Sequence, residues 1–143
     1  MADLLSLDEA ALAQLSLDTL LSALSDADTE VWACALYALG TRPEPEAISL
    51  LVTSLSDPSS FLARTAADSL QRLGQPAVPA LIEALKSQDA QTRGLAARAL
   101  AHLKYTAAIP ALFKALEDDS VIVQYWADEG LDRMGVGQVY FKP

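Results

Sequence analysis

Few residues in this chain could carry catalysis. It has one histidine, His102, and one cysteine, Cys34. Neither H-E-x-x-H nor C-x-x-C occurs, so the side chains that close a multi-ligand metal site are missing and no metal is expected. A nucleophile–base pair of Cys34 and His102 would have to span two repeats of the pattern described below. Cys34 reads instead as a small, part-buried filler, because free cysteine behaves as a small hydrophobe. His102 falls in the last turn of a helix, where the helix dipole favours a cationic group. Gly135-Val136-Gly137 lacks the third glycine and the following helix of a phosphate loop. The expectation is a chain with no catalytic residue, no cofactor and no chemistry of its own.

What remains is chemistry of recognition. Tyr, Trp and Arg are the side chains that dominate binding hot spots. At 100° per residue they gather on one side of a series of helices. One column holds Tyr37, Asp68, Arg98 and Glu129, and a neighbour holds Ala33, Arg64, Gly94 and Tyr125. A third holds Gly40, Gln71, Ala101 and Asp132, and the edge holds Thr41, Arg72, His102 and Arg133. Trp32 and Trp126 lie beside them. The candidate partner-binding residues are Tyr37, Arg64, Asp68, Arg98, His102, Tyr125, Trp126, Glu129 and Arg133, with the centre in the C-terminal half.

These columns exist because the chain repeats. Ala47–Leu55, Ala77–Leu85 and Ala108–Leu116 are versions of one segment, with a fainter copy ending at Leu24; the closing leucines are 31, 30 and 31 residues apart. Such a period means stacked units, each of which buries an apolar face against the next. Every unit holds two helical patterns. Pro79 and Pro110 stand near the start of the first, where a missing N–H costs nothing. Asp28, Ser59, Asp89 and Ser120, four residues past each leucine, are strong N-cap types for the second. Within that second helix run the core columns Val31, Leu62, Thr92, Val123; Ala35, Ala66, Ala96, Ala127; and Leu39, Leu70, Leu100, Leu131. Gly74 and Gly135 suit a left-handed helix end. Gly40, Pro43 and Pro45 should stop the second helix of repeat one about a turn early.

Ser6-Leu7-Asp8-Glu9 has the form of a capping box opening an N-terminal covering helix. The predicted fold is all-α: a right-handed α-solenoid of nine helices in a single domain. Its parts are a cap (1–16), four helix pairs (17–46, 47–76, 77–107, 108–135) and a tail (136–143) that either straps the last repeat or serves as a handle. Cap and tail together suggest a complete array rather than a piece of a longer scaffold.

Composition narrows the partners. Ten Lys and Arg against 19 Asp and Glu give a net charge of −9, which repels phosphate backbones and anionic membranes; no nucleic acid is expected. No apolar run approaches the ~20 residues that span a bilayer, so no membrane insertion is expected. The N-terminus lacks the basic region and cleavage site of a signal peptide. A lone cysteine fits a reducing, cytoplasmic setting.

The frame A-[VI]-P-A-L-x-x-A-L, a capped turn, then x-R-x-x-A-A-x-x-L-x-x-L resembles the short HEAT-like repeat of phycobilisome-lyase-type proteins. Thr92-Arg93-Gly94-Leu95-Ala96-Ala97-Arg98-Ala99-Leu100 matches it best. The arginine that follows the opening apolar residue occurs only as Arg93; Trp32, Ala63 and Gln124 hold the equivalent places. The resemblance implies an α-solenoid that grips another protein. The leading expectation is a non-catalytic binding module or small scaffold. The alternative is a bilin-lyase-like or phycobilisome-associated factor that handles a phycobiliprotein or a linear tetrapyrrole, with Arg64, Arg72, Arg93 and Arg98 available to its two propionates.

Overall fold

The computed structural model describes residues 4–25 and 28–136. The chain forms two compact units, Met1–Leu73 and Gly74–Pro143. The first unit holds a 3-10 turn (Leu4–Ser6), α1 (Glu9–Ala13), α2 (Leu17–Ala23), α3 (Thr29–Leu39), α4 (Pro45–Ser54) and α5 (Ser60–Leu73). The second holds α6 (Val78–Ala84), α7 (Ala90–Leu103), α8 (Ile109–Ala115) and α9 (Val121–Arg133), with 3-10 turns Gln75–Ala77 and Thr106–Ala108 leading into α6 and α8. All nine α-helices predicted from the period are present among the described residues, and no strand is.

Local chemistry sets the helix boundaries. Asp28, Ser59, Asp89 and Ser120 cap α3, α5, α7 and α9, accepting from the backbone N–H of Glu30, Leu62, Thr92 and Val123. Each satisfies one of the N–H groups that a helix start leaves unpaired. Gly74 and Gly135 take positive φ, +73° and +78°, as C-terminal residues should. After α7 the left-handed position falls to Lys104, at φ 58°, whose N–H bonds the Leu100 carbonyl at 3.1 Å. Helix α3 has 11 residues against 14 in α5 and α7, the predicted early stop before Gly40, Pro43 and Pro45.

Two expectations need correction. The N-terminal cap is Asp8, whose carboxylate accepts from Ala11 N–H at 2.8 Å, whereas Ser6 belongs to the preceding 3-10 turn. Aspartate at this position is the stronger acceptor and sits one residue before the helix, so it displaces the Ser6-to-Glu9 box. The third column predicted as exposed is not so throughout: Gly40 and Ala101 are buried. They lie where the following second helix crosses. A Cβ added to Gly40 would meet Ser69 Cβ at 2.8 Å, and one added to Gly130 would meet Ala101 Cβ at 3.2 Å. Gly94, in the second column, is buried for the same reason, against Ile122.

The core columns are otherwise as read, except that Val31, at the start of its column, is half-buried. Ala35, Ala66, Ala96 and Ala127 are fully buried, as are Leu39, Leu70, Leu100 and Leu131. Within each unit the helices pack as pairs (α2 on α3, α4 on α5, α6 on α7, α8 on α9), and the second helices pack on each other, α3 on α5 and α7 on α9. The small column Ala38, Ser69, Ala99 and Gly130 allows that close approach, and the buried Ser69 hydroxyl donates to the Leu36 carbonyl at 2.9 Å.

One ion pair joins successive turns of the second unit. Arg93 clasps both oxygens of Asp118 at 2.9 and 3.1 Å and donates from Nη1 to the Ser87 carbonyl at 2.9 Å. Asp118 also accepts from Ser120 N–H, and Gln124 Nε2 donates to its carbonyl. Burial pushes the Asp118 carboxyl up, but the Arg93 hydrogen bonds, the Ser120 N–H and the Arg93 charge together hold it below its ordinary value. A carboxyl depressed in the folded state contributes stability above its unfolded pKa of about 4, and that contribution disappears as pH falls through the lower folded value. Asp118→Asn is therefore less stable than wild type at neutral pH, and the gap narrows as the buffer is taken below about pH 4. Urea midpoints across that range check this; a gap independent of pH would show that the pair contributes nothing through ionisation.

Candidate functional site

The second unit brings six of the candidate residues together. They project from α7 and α9 and meet because residues one repeat apart lie side by side on neighbouring second helices. Arg133, 31 residues beyond His102, donates from Nη1 to His102 Nδ1 at 2.8 Å. Guanidinium has no acceptor, so Nδ1 is the lone-pair nitrogen and the ring proton sits on Nε2. Arg133 Nε also binds Glu129 at 3.0 Å, an i,i+4 pair within α9. The Trp126 indole lies against the His102 ring, centroids 5.5 Å apart, and takes the edge of Tyr125 at 5.1 Å and 82°. Arg98 stands over the indole at 6.0 Å. The result is an aromatic surface bordered by two guanidinium groups and one carboxylate. Tyr125 is its most open member, 56% exposed, and Trp126 and His102 are half-buried.

Tyr37, Arg64 and Asp68 belong to the first unit. Tyr37 donates its hydroxyl to Glu9 at 2.8 Å, and this bond holds the phenol above its ordinary pKa against the lowering pull of Arg72. The Arg72 guanidinium lies over the Tyr37 ring at 3.7 Å and donates to the Tyr37 carbonyl at 2.6 Å. Arg64 and Asp68 are exposed on α5. Cys34 is half-buried, its thiol 3.5 Å from the Leu4 carbonyl. Among the described residues no group of three or more His, Cys, Asp or Glu is placed to hold a metal ion. No helix among them is long and apolar enough to cross a membrane. The tail residues Val139, Tyr140 and Phe141, read from sequence as strap or handle, lie outside the described residues.

Sequence reasoning missed two features. Glu9 closes the Tyr37 hydroxyl from α1, 28 residues away and outside the repeat register. Val121 and Ile122, 74% and 60% exposed, form an open apolar step at the start of α9. Reading the columns across would have found them, since the equivalent pairs are Ser60-Phe61 and Ala90-Gln91.

The sequence matches the HEAT repeat family over residues 17–87 and 78–139. The chain belongs to that family. Its likeness is to phycobilisome-lyase-type members. It is 39% identical over 82 residues to phycocyanobilin lyase subunit alpha of Synechococcus elongatus, covering 52% of this chain and 30% of that protein. It is 35% identical over 101 residues to a phycobilisome maturation protein of the same organism, covering 70% of this chain and 49% of that one. Among solved structures it resembles a chain in the complex of CpcE and CpcF of phycocyanin lyase from Nostoc sp. PCC7120, with a TM-score of 0.57 and 28% identity over 85% of this chain and 54% of that one. The chain thus spans about half, or less, of the length of the proteins it resembles. These likenesses overturn the expectation of a non-enzyme: one similar protein is named a lyase subunit and the similar solved chain belongs to a lyase complex.

Proposed function

We propose that this HEAT repeat chain is a lyase-related phycobilisome factor that handles a linear tetrapyrrole in concert with a protein partner, a phycobiliprotein being the partner that fits. The observation that carries the reading is the structural likeness to the lyase complex over 85% of the chain. That neighbour was solved as a complex, which supports a protein partner here too.

The α7–α9 cluster suits such a ligand. A linear tetrapyrrole offers an extended apolar π-system and two propionates. The Trp126 and Tyr125 rings provide apolar surface beside each other on α9. Arg98 and Arg133 flank them, and a guanidinium can take a carboxylate through two parallel hydrogen bonds. The chain would contribute by holding and orienting its reactants, which needs neither triad nor metal.

Phycocyanobilin added to the purified chain should show a red-shifted, sharpened absorption band, and the change should be lost in the double variant Arg98→Ala with Trp126→Ala. A spectrum unchanged by the wild-type chain, alone and in the presence of apo-phycocyanin, rules out tetrapyrrole handling.

A further inference from the structure

Within each unit the earlier of the two second helices has a side that receives the later one. On α3 it carries Leu36 and Gly40, both buried under α5. On α7 it carries Gly94, Ala97 and Ala101, all buried, with Ile122 of α9 set against Gly94. Gly40, Gly94, Ala97 and Ala101 are small because the helices approach closely there. The equivalent positions on α9, one repeat later, are Tyr125, Asp128 and Asp132. All three are exposed, and Val121, one turn earlier, is 74% exposed. Among the described residues no helix covers this side.

Two carboxylates stand where α7 has alanines. A helix like α5 or α9, packed there through small apolar residues, would leave Asp128 and Asp132 desolvated without a partner, which is strongly unfavourable for a charge. A second copy of this acidic chain, net charge −9, would bring more negative charge to the same place. Yet Val121 and Tyr125 form an apolar step of the kind that marks a contact surface. We infer that the open side of α9 docks a basic amphipathic helix of a protein partner: apolar residues on Val121 and Tyr125, and lysine or arginine paired with Asp128 and Asp132. This surface shares Tyr125 with the tetrapyrrole reading but not Val121, Asp128 or Asp132, so variants at those three residues make its failure and that of the tetrapyrrole reading separately visible.

The test uses the full chain and a fluorescein-labelled synthetic helix of leucine and lysine, with its leucine–glutamate counterpart as control, read by fluorescence anisotropy. The expected result is binding of the basic helix alone. Asp128→Lys with Asp132→Lys should weaken it at least about tenfold, since charge complementarity carries much of the discrimination. Val121→Ser should weaken it several-fold. Glu44→Lys with Glu46→Lys makes the same change in net charge far from α9 in sequence and should leave binding within about twofold, which separates a local site from general acidity. Equal loss in both double variants, equal binding of the acidic helix, or no binding overturns the proposal. Binding by a chain ending at Val136 but not by the full chain overturns it also, because residues 137–143 would then be the occupant. Self-association of the wild type in sedimentation, abolished by Val121→Ser, would make the occupant a second copy and equally overturn it.

Discussion

Leu100→Ala lowers the free energy of unfolding by about 2–5 kcal/mol, the range for deleting a buried leucine side chain. Leu100 is fully buried in α7, the helix that receives both α6 and α9. The residues beside it along α7, Ala96, Ala97 and Ala101, are too short to swing into the gap, which favours a retained cavity. A urea titration checks it through the midpoint at unchanged slope. A midpoint equal to wild type would show that the Leu39, Leu70, Leu100, Leu131 column is not the core.

Gly40→Ala destabilises the first unit by about 1–3 kcal/mol through overpacking. The backbone there is ordinary, at φ −70°, so the effect is one of space and not of strain. The new methyl would stand 2.8 Å from Ser69 Cβ and 3.0 Å from Ser69 Cα. It would also meet the end of Arg72 at 2.5 Å, pushing that guanidinium away from the Tyr37 carbonyl and ring it now engages. The Arg72 end can swing aside; the α5 backbone cannot without moving the helix. Ser69→Gly in the Gly40→Ala background should recover part of the loss despite removing the bond to the Leu36 carbonyl. A double-mutant cycle reports that coupling directly, and strictly additive effects would show that the two residues do not compete for space.

The repeat architecture was legible because period, caps and core write themselves into columns. Asp28, Ser59, Asp89 and Ser120 could be read as caps without any knowledge of the rest, since their side chains act on the backbone two or three residues ahead. The proximity of the α7–α9 cluster residues was legible to the same extent. His102 and Arg133 are one repeat apart, and Arg98 and Trp126 belong to adjacent columns of neighbouring helices, so the register alone puts them together. What escaped depended on things the register does not encode. The exposure of Gly40 and Ala101 was misjudged because 100° per residue locates the side facing the helix pair but not the angle at which the next second helix crosses. The partnership of Glu9 with Tyr37 comes from outside the array. The lyase connection stood second to a plain binding module for a chemical reason: a search for triads, metal sets and phosphate loops does not detect a protein whose contribution is to hold and align reactants.

Near-identical repeats present a hazard that dissimilar ones do not. The segments around Leu55, Leu85 and Leu116 offer much the same apolar ridge, so during folding a helix pair can settle on the wrong neighbour and still bury its leucines; such mispairing is a characteristic failure of repeat proteins. Hydrophobic contact cannot tell these arrangements apart. The clasp of Arg93 on Asp118, with its further bond to the Ser87 carbonyl, can. Arginine occurs once in its column, where Trp32, Ala63 and Gln124 stand in the other repeats. Asp57 stands at the place of Asp118 in the turn before α5, so a misaligned stacking can offer Arg93 a carboxylate, but it then leaves the half-buried Asp118 without its mate, because no other repeat carries that arginine. The bond thus acts as an address label: it makes one of several similar assemblies the correct one.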